Sequence, residues 1–281
     1  MTLQQNPYER LFIYHLEAQP VPNPWEKNPS FLGSWIEDGY AFLFFSEPVL
    51  QDIMLWLEKL KGPKLIDHYQ MTYAEWQGGE EILPLRAGKL IIAPFWQTVE
   101  ESPESILLRI DPGVVFGTGA HPTTMDCLRA ITTLYSKTKP QKIADLGTGT
   151  GILALAVAAL GAEEVVAIDL NPLCVRTAKA NVERNGFQSV IKVLEGDAVQ
   201  FIDRGFDLLI ANIHMAVVEQ LLANNRFNET PWVILSGLMR SQAMEIENVL
   251  NNSPFRVARR WNSEGIWSTF LLCNETWLKT H

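Results

Sequence analysis

The stretch "IADLGTGTGILALAVA", residues 143–158, decides the fold of this chain. An apolar strand runs to Asp145, glycines follow at positions 147, 149 and 151, and an apolar segment of helical character starts at once. Glycines let the backbone come close to a ligand, and the start of a helix offers free N–H groups. Because ligands of open α/β sheets bind at the carboxyl ends of the strands, this turn predicts a ligand site.

Strands and helices alternate around this turn. The predicted strands are 142–146, 164–170, 190–196, 206–212 and 232–237, and the clearest helices are 152–161 and 171–186. Asn171 can cap the second helix, Pro172 suits its first position, and Gly186 ends it. This alternation predicts the α/β class with a doubly wound, mostly parallel sheet.

The N-terminal part of the chain has a different pattern. Short strands are predicted at 12–18, 33–39, 40–47 and 64–73, with one helix at 49–62. The stretch 19–30 holds four prolines, which favour an irregular connection. We therefore predict a small α+β domain at 1–72, a linker leading into the next domain at 73–112, and a catalytic domain at 113–281.

Composition and charge narrow the class of protein. The 281 residues are 47% hydrophobic and carry a net charge of -9, which does not favour binding to nucleic acid or to an anionic membrane. The three cysteines show no CxxC spacing, so we expect a reducing compartment and neither a disulfide framework nor a zinc site. With no signal peptide and no membrane-spanning apolar run, a cytoplasmic protein is expected.

Polar residues at the strand ends indicate the ligand. The glycines read G-x-G-x-G, and Ile152 stands where a dinucleotide-binding loop has its third glycine. Asp169 ends the next strand, where it can accept both ribose hydroxyls, a feature shared by nicotinamide and S-adenosylmethionine (AdoMet) sites. Asp197 can accept the adenine amine, and Asn212 points into the same cleft. Together these residues favour AdoMet, and a nicotinamide oxidoreductase is the alternative from another class.

A second glycine-rich stretch, "DPGVVFGTGAHPTT", covers residues 111–124. A metal site at His121 would need further ligands, which the neighbouring sequence does not supply, so a role in holding the loop is favoured. Thr123 or Thr124 is the expected N-cap of the helix that follows. We interpret the stretch as a flap that closes over the ligand.

The chain resembles the PrmA family, the methyltransferases of ribosomal protein L11. The resemblance rests on "FGTGAHPTT", "IADLGTGTGILALAVAALGA", "AIDLNP", "ANVERNG", "DLLIANI" and "LSGLMRSQ", and it extends from about residue 73 onward. It implies a seven-stranded class I methyltransferase sheet, AdoMet as cofactor, and a small N-terminal domain that presents the substrate. The candidate cofactor contacts are Phe116, Thr118, Thr124, Gly147, Gly149, Asp169, Asp197 and Asn212, with Asn212 also catalytic.

The resemblance also implies the reaction. We expect methyl transfer to lysine side-chain or N-terminal amines of ribosomal protein L11 in the large subunit, with no metal, no nucleic acid or membrane partner, and a monomer. Two departures are the proline-rich N-terminal stretch and His214, which stands where the family commonly has leucine and can be a base or a pocket-wall residue. Another protein or a small amine as acceptor, and a non-catalytic AdoMet-binding protein, remain alternatives.

Overall fold

The computed structural model describes residues 6–17, 24–37, 39–60, 62–77, 84–119 and 121–276. The chain divides into two compact units, Met1–Ile82 and Leu83–His281. The predicted linker segment 73–112 is shared between them, because Tyr73–Trp76 forms a helix of the first unit and three strands between Leu85 and Ile110 form a small sheet of the second.

The first unit is an antiparallel sheet with one long helix. Its elements are β1 (Arg10–Glu17), β2 (Phe31–Glu37), β3 (Tyr40–Phe45), α1 (Leu50–Leu60), β4 (Leu65–Thr72) and the short α2 (Tyr73–Trp76). The strand order is β2-β3-β1-β4. Ile53 and Leu57 of α1 pack on Phe45 and its neighbours in the sheet. Of the proline-rich stretch, residues 19–23 lie outside the described residues, and Pro24–Lys27 forms one 3-10 turn.

The second unit contains two sheets and five longer helices within its described residues. Its first elements are β5 (Leu85–Ala87), β6 (Leu90–Pro94), β7 (Ile106–Ile110), α3 (Pro122–Tyr135), β8 (Lys142–Leu146), α4 (Ile152–Ala159), β9 (Glu164–Asp169) and α5 (Pro172–Arg184). The remaining elements are β10 (Ile191–Glu195), β11 (Leu208–Asn212), α6 (Met215–Ala223), β12 (Trp232–Met239), α7 (Arg240–Leu250), β13 (Phe255–Ser263) and β14 (Trp267–Asn274). Short 3-10 segments occupy Ala198–Arg204 and Asn225–Glu229.

The large sheet has seven strands in the order β10-β9-β8-β11-β12-β14-β13. The first five strands of this order, from β10 through β9, β8 and β11 to β12, pair in parallel. Strand β14 lies between β12 and β13 and pairs with both in antiparallel orientation. The predicted α/β class with a doubly wound, mostly parallel, seven-stranded sheet is therefore confirmed. The chain moves outward from β8 in one direction and then resumes at β11 on the other side of β8, which makes the gap between β8 and β11 the switch point.

Alternating side chains of the buried strands pack into helix layers on opposite faces of this sheet. In β11, Leu208 and Ile210 join the core under α3, α4 and α5, whereas Leu209 and Ala211 join the core under α6 and α7. A strand that is buried on both faces of a sheet is a continuous apolar run in the sequence. The small sheet, in the order β5-β6-β7, contributes its apolar residues to the α3–α5 core. In the described ranges, no helix is both long and apolar enough to cross a membrane.

Candidate active site at the switch point

The glycine loop between β8 and α4 forms the floor of the candidate site. Gly147, Gly149 and Gly151 have φ of 74°, 56° and 83°, a left-handed conformation that strains other residues. Space is also limited: a Cβ on Gly147 would lie 2.8 Å from Cδ1 of Ile213, and one on Gly149 would lie 2.5 Å from the backbone oxygen of Phe116. The loop therefore needs glycine for both conformation and close approach, as the sequence predicts for a ligand-binding turn.

Asp145 lies under this loop and is fully buried. Its Oδ2 accepts hydrogen bonds from the hydroxyl of Thr148 at 2.6 Å and from the N–H of Ala154 at 3.2 Å. Its Oδ1 is buried and has no hydrogen-bond partner among the described residues. Burial raises the pKa of this carboxyl to about 6, against the lowering effect of its two hydrogen bonds. The unpartnered oxygen is consistent with this raised pKa, because burial disfavours the charged form of the carboxyl.

Asp169 stands at the end of β9, beside the glycine loop. Its Oδ2 accepts the N–H of Gly149 at 2.9 Å, and its Oδ1 accepts the N–H of Asn171 at 2.9 Å. Each carboxylate oxygen has a second lone pair, so the side chain is held by the backbone and can still accept hydroxyl groups. This geometry suits the predicted contact with a ribose.

Asp197 follows β10 at the same edge of the sheet. Strand β10 pairs with β9 so that Glu195 lies opposite Asp169, and the N–H of Gly196 donates to the carbonyl of Asp169 at 3.0 Å. Oδ1 of Asp197 accepts the N–H of Val199 at 3.0 Å and caps the 3-10 segment. The structure thus places Asp169 and Asp197 at the ends of neighbouring strands, with one oxygen of Asp197 engaged in the cap.

Asn212 ends β11 on the other side of the switch point. Its partner on β12 is Ser236, and a Cβ added to Gly237 would lie 3.3 Å from its Oδ1 and 3.1 Å from the carbonyl oxygen of Ile213. Gly237 has a φ of 80°, so glycine is favoured here both by the left-handed backbone and by the close approach to the amide of Asn212. His214 is exposed at the N-cap position of α6 and makes no capping hydrogen bond with its side chain.

The flap rests directly on the glycine loop. The hydroxyl of Thr150 donates to the carbonyl oxygen of Gly117 at 2.6 Å, and the backbone of Phe116 touches Gly149. The Phe116 side chain is 55% exposed, whereas Thr118 is buried. The flap is therefore fixed through its backbone, and its aromatic ring is left available to a ligand or a substrate.

His121 anchors the end of the flap, and the prediction of Thr123 or Thr124 as N-cap is wrong. His121 is the N-cap of α3, because Pro122 has the fixed φ suited to the first helical position. Its Nδ1 accepts the N–H of Thr123 at 3.3 Å, and its ring lies edge-on to Trp267 with 4.7 Å between centroids. Burial lowers the pKa of the imidazole, with Glu264 opposing the shift. Within the described residues, no group of three His, Cys, Asp or Glu side chains could hold a metal ion.

Thr124 lies on the first turn of α3, fully buried, and its Oγ1 has no hydrogen-bond partner among the described residues. One turn further along α3, the buried thiol of Cys127 has its pKa raised to about 12 by burial and, to a smaller extent, by the charge of Asp145. The two unsatisfied oxygens, on Thr124 and Asp145, thus belong to neighbouring parts of the core near the switch point. The residues that fit a polar ligand such as AdoMet are the glycine floor and Asp169, whose carboxylate is only partly buried.

The sheet order, the glycine loop and the acids at the strand ends are those of the Rossmann-like class I methyltransferase fold. Comparison with known families agrees, because the family described as "Ribosomal protein L11 methyltransferase (PrmA)" matches residues 63–274. The chain belongs to this PrmA family. Membership in this class implies AdoMet as the methyl donor.

Individual relatives carry the same name. The ribosomal protein L11 methyltransferase of Desulforamulus reducens is 35% identical over 192 residues, which are 67% of this chain and 61% of that protein. The one from Staphylococcus aureus is 34% identical over 187 residues, covering 65% and 59%. The crystal structure of ribosomal protein L11 methylase from Lactobacillus delbrueckii subsp. bulgaricus superimposes with a TM-score of 0.60 at 28% identity, covering 68% of this chain and 98% of that one. The match thus spans about 60% of the length of the curated relatives.

Proposed function

We propose that this protein is an AdoMet-dependent methyltransferase that methylates lysine side-chain or N-terminal amines of ribosomal protein L11. The observation that supports it most directly is the convergence of the glycine floor, the flap and Asn212 at one switch point of a class I sheet. Family membership supports the acceptor, since the relatives that match are L11 methyltransferases.

The cofactor contacts follow from the positions of the polar groups. Gly147 and Gly149 let the backbone run along AdoMet, Asp169 accepts the ribose hydroxyls, and Asp197 accepts the adenine amine through the oxygen that is not engaged in its cap. Phe116, Thr118 and Thr124 complete the set from the flap and the first turn of α3, with the unpartnered Oγ1 of Thr124 as an acceptor or donor.

Asn212 and the neighbouring backbone act on the acceptor. When bound, AdoMet supplies an electrophilic methyl group, and the protein aligns the acceptor in line with it. A lysine amine with a pKa of about 10.4 is protonated at pH 7, and removal of that proton costs roughly 4–5 kcal/mol. Burial of the amine lowers its pKa and reduces this cost. The amide oxygen of Asn212 accepts a hydrogen bond from the neutral amine and directs its lone pair toward the methyl group.

A second acceptor is favoured by one observation. The family match begins at residue 63, so most of the first unit, with its four-stranded sheet, lies outside it. If that unit presents the substrate, as the resemblance implies, its divergence favours another protein or a small amine. A cytoplasmic location belongs to the same proposal and is supported by three free cysteines.

The acceptor is tested by labelling. The protein is incubated with methyl-labelled AdoMet and either purified unmethylated L11 or a total cell lysate, and the labelled species are identified by mass spectrometry. Label on L11 supports the proposal. Label on another protein alone refutes L11 as the acceptor, and no transfer to any species despite AdoMet binding refutes the enzymatic function.

Two variants test the site. Asp169→Ala should abolish measurable binding of S-adenosylhomocysteine in calorimetry, because the ribose contact is lost. Asp207→Ala is its matched control. Asp207 also accepts two backbone N–H groups, from Gln141 and Lys142, but it lies at the amino ends of the strands, away from the site. Asn212→Ala should retain part of the binding of S-adenosylhomocysteine and lose turnover by about 10²-fold or more. Unchanged affinity in the first variant or full turnover in the second contradicts these roles.

A further inference from the structure

Two asparagines of the stretch "ANVERNG", residues 180–186, have no role in the proposed chemistry. Asn181 lies on α5 and is fully buried, and Asn185 is the residue that ends this helix. Four residues apart, their side chains lie on the same face of the helix. Both face the free edge of β7 and the residues that follow it.

The two amides replace a missing neighbouring strand. The N–H of Arg109 donates to Oδ1 of Asn185 at 2.9 Å, and Nδ2 of Asn185 donates to the carbonyl of Arg109 at 2.7 Å. Asn181 pairs with Asp111 in the same way, at 2.6 and 2.8 Å. Four helical residues rise about 6.0 Å and two strand residues about 6.6 Å, so the two spacings match.

The third contact of each amide differs, because the second Nδ2 proton of Asn185 donates within the helix to the carbonyl of Asn181 at 2.8 Å, whereas Asn181 reaches the glycine loop. The second Nδ2 proton of Asn181 reaches the carbonyl oxygen of Thr150 in the glycine loop at 2.9 Å. Both N–H groups of this amide are therefore used, and its oxygen accepts from Asp111. Because Asp111 begins the flap stretch and Thr150 supports Gly117 within it, a single side chain links the root of the flap to the floor beneath its middle.

We propose that Asn181 is a positioning residue that sets the distance between the flap and the glycine loop and thereby the affinity for the cofactor. It acts through Asp111 and Thr150, and the buried amide has no part in the methyl transfer itself. The inference rests on the proposed AdoMet site. Asn185, which holds the same strand extension two residues earlier and has no contact with the glycine loop, supplies the comparison.

The test measures binding of S-adenosylhomocysteine by calorimetry to the full chain and to two variants. Asn181→Ala should raise Kd by about 10- to 100-fold, because it removes the donor to the carbonyls of Asp111 and Thr150 and with it the link between flap and floor. Asn185→Ala should leave Kd within about twofold, although both variants lose a pair of hydrogen bonds to the strand edge and both should melt at lower temperature. At saturating AdoMet, Asn181→Ala should keep the acceptor KM of the wild type.

The outcomes separate this inference from the proposed function. If the wild type does not bind S-adenosylhomocysteine, the proposed function fails. If the wild type binds and both variants raise Kd equally, or neither does, the positioning role of Asn181 is overturned. Should Asn181→Ala fail to fold, Asn181→Asp keeps the volume and the acceptor for Asp111 but loses both donors, and it should show the same rise in Kd. Hydrogen exchange at the Asp111 amide of the wild type should also slow on ligand binding, and unchanged exchange contradicts the proposal.

Discussion

Replacing Asp145 by asparagine should change how the stability of the second unit depends on pH. The two side chains have nearly the same shape. Because Oδ2 of Asp145 accepts from both Thr148 and Ala154, the amide oxygen of the variant should take that position and the amide nitrogen should take the place of the unpartnered Oδ1. The variant therefore removes a buried titratable group with little change in packing.

The magnitude follows from the pKa. Burial raises the pKa of Asp145 from 3.8 to about 6, so between about pH 4 and pH 6 the native state binds more protons than the unfolded state. Stability from this group is fully present below pH 4 and is lost as the pH rises through 6. At 1.36 kcal/mol for each pKa unit, the loss is about 3 kcal/mol. Asparagine does not titrate in this range. The free energy of unfolding of the variant should therefore rise by about 3 kcal/mol relative to that of the wild type between pH 4 and pH 7.

Differential scanning calorimetry of the full chain measures this difference. The relevant transition is the one that S-adenosylhomocysteine shifts, because ligand binding stabilises only the unit that carries the site. For a unit of this size, about 3 kcal/mol corresponds to a Tm difference of roughly 6–12 °C that appears between pH 4 and pH 7. A difference in Tm between Asp145→Asn and the wild type that stays constant over this range would refute the reasoning.

Three further predictions concern the flap and the floor. Gly149→Ala should lower the free energy of unfolding, measured by urea titration, by roughly 2–4 kcal/mol, because the added Cβ meets the flap backbone. Gly186→Ala has the same left-handed strain but lies in open space, so it should lower this free energy by only about 1–2 kcal/mol. Equal losses in the two variants contradict the contact. Thr150→Val removes the hydroxyl that donates to the carbonyl of Gly117. The variant should therefore lose about 1–3 kcal/mol of free energy of unfolding and show faster hydrogen exchange in the flap. Unchanged exchange contradicts the role of this hydrogen bond in holding the flap. His121 should titrate below pH 6.5 by NMR, and its contribution to stability should be lost as the pH falls through that midpoint; a midpoint above 6.5 argues against the neutral cap.

The sequence predicts the parallel half of the sheet well for a physical reason. The run at 142–146 and its counterparts are short, apolar and bounded by glycine or polar residues, because both of their faces are buried. The strands at 255–274 were not located individually. β13 is exposed along most of its length and carries Arg256, Arg259 and Arg260. Its sequence therefore lacks the apolar run that marks a buried strand.

The candidate site shows the same division. The positions of Asp169 and Asn212 at strand ends are predicted from the chain alone, because strand ends converge in a parallel sheet, and their binding roles stay predictions. Thr150 and Asn181 are not found, since their contacts join segments 33 and 70 residues apart. The N-cap prediction failed because imidazole is not among the side chains usually expected to cap a helix.

The position of β14 has a consequence for synthesis of the chain on the ribosome. This strand lies between β12 and β13, so the apolar β12 lacks a neighbour on one side until residues 267–274 have been made. During that interval a nascent chain presents an open, hydrophobic edge of β12 on the side away from β11. Such edges pair readily with other chains. A chain truncated after residue 266 should therefore give a lower soluble yield than a chain truncated after residue 276.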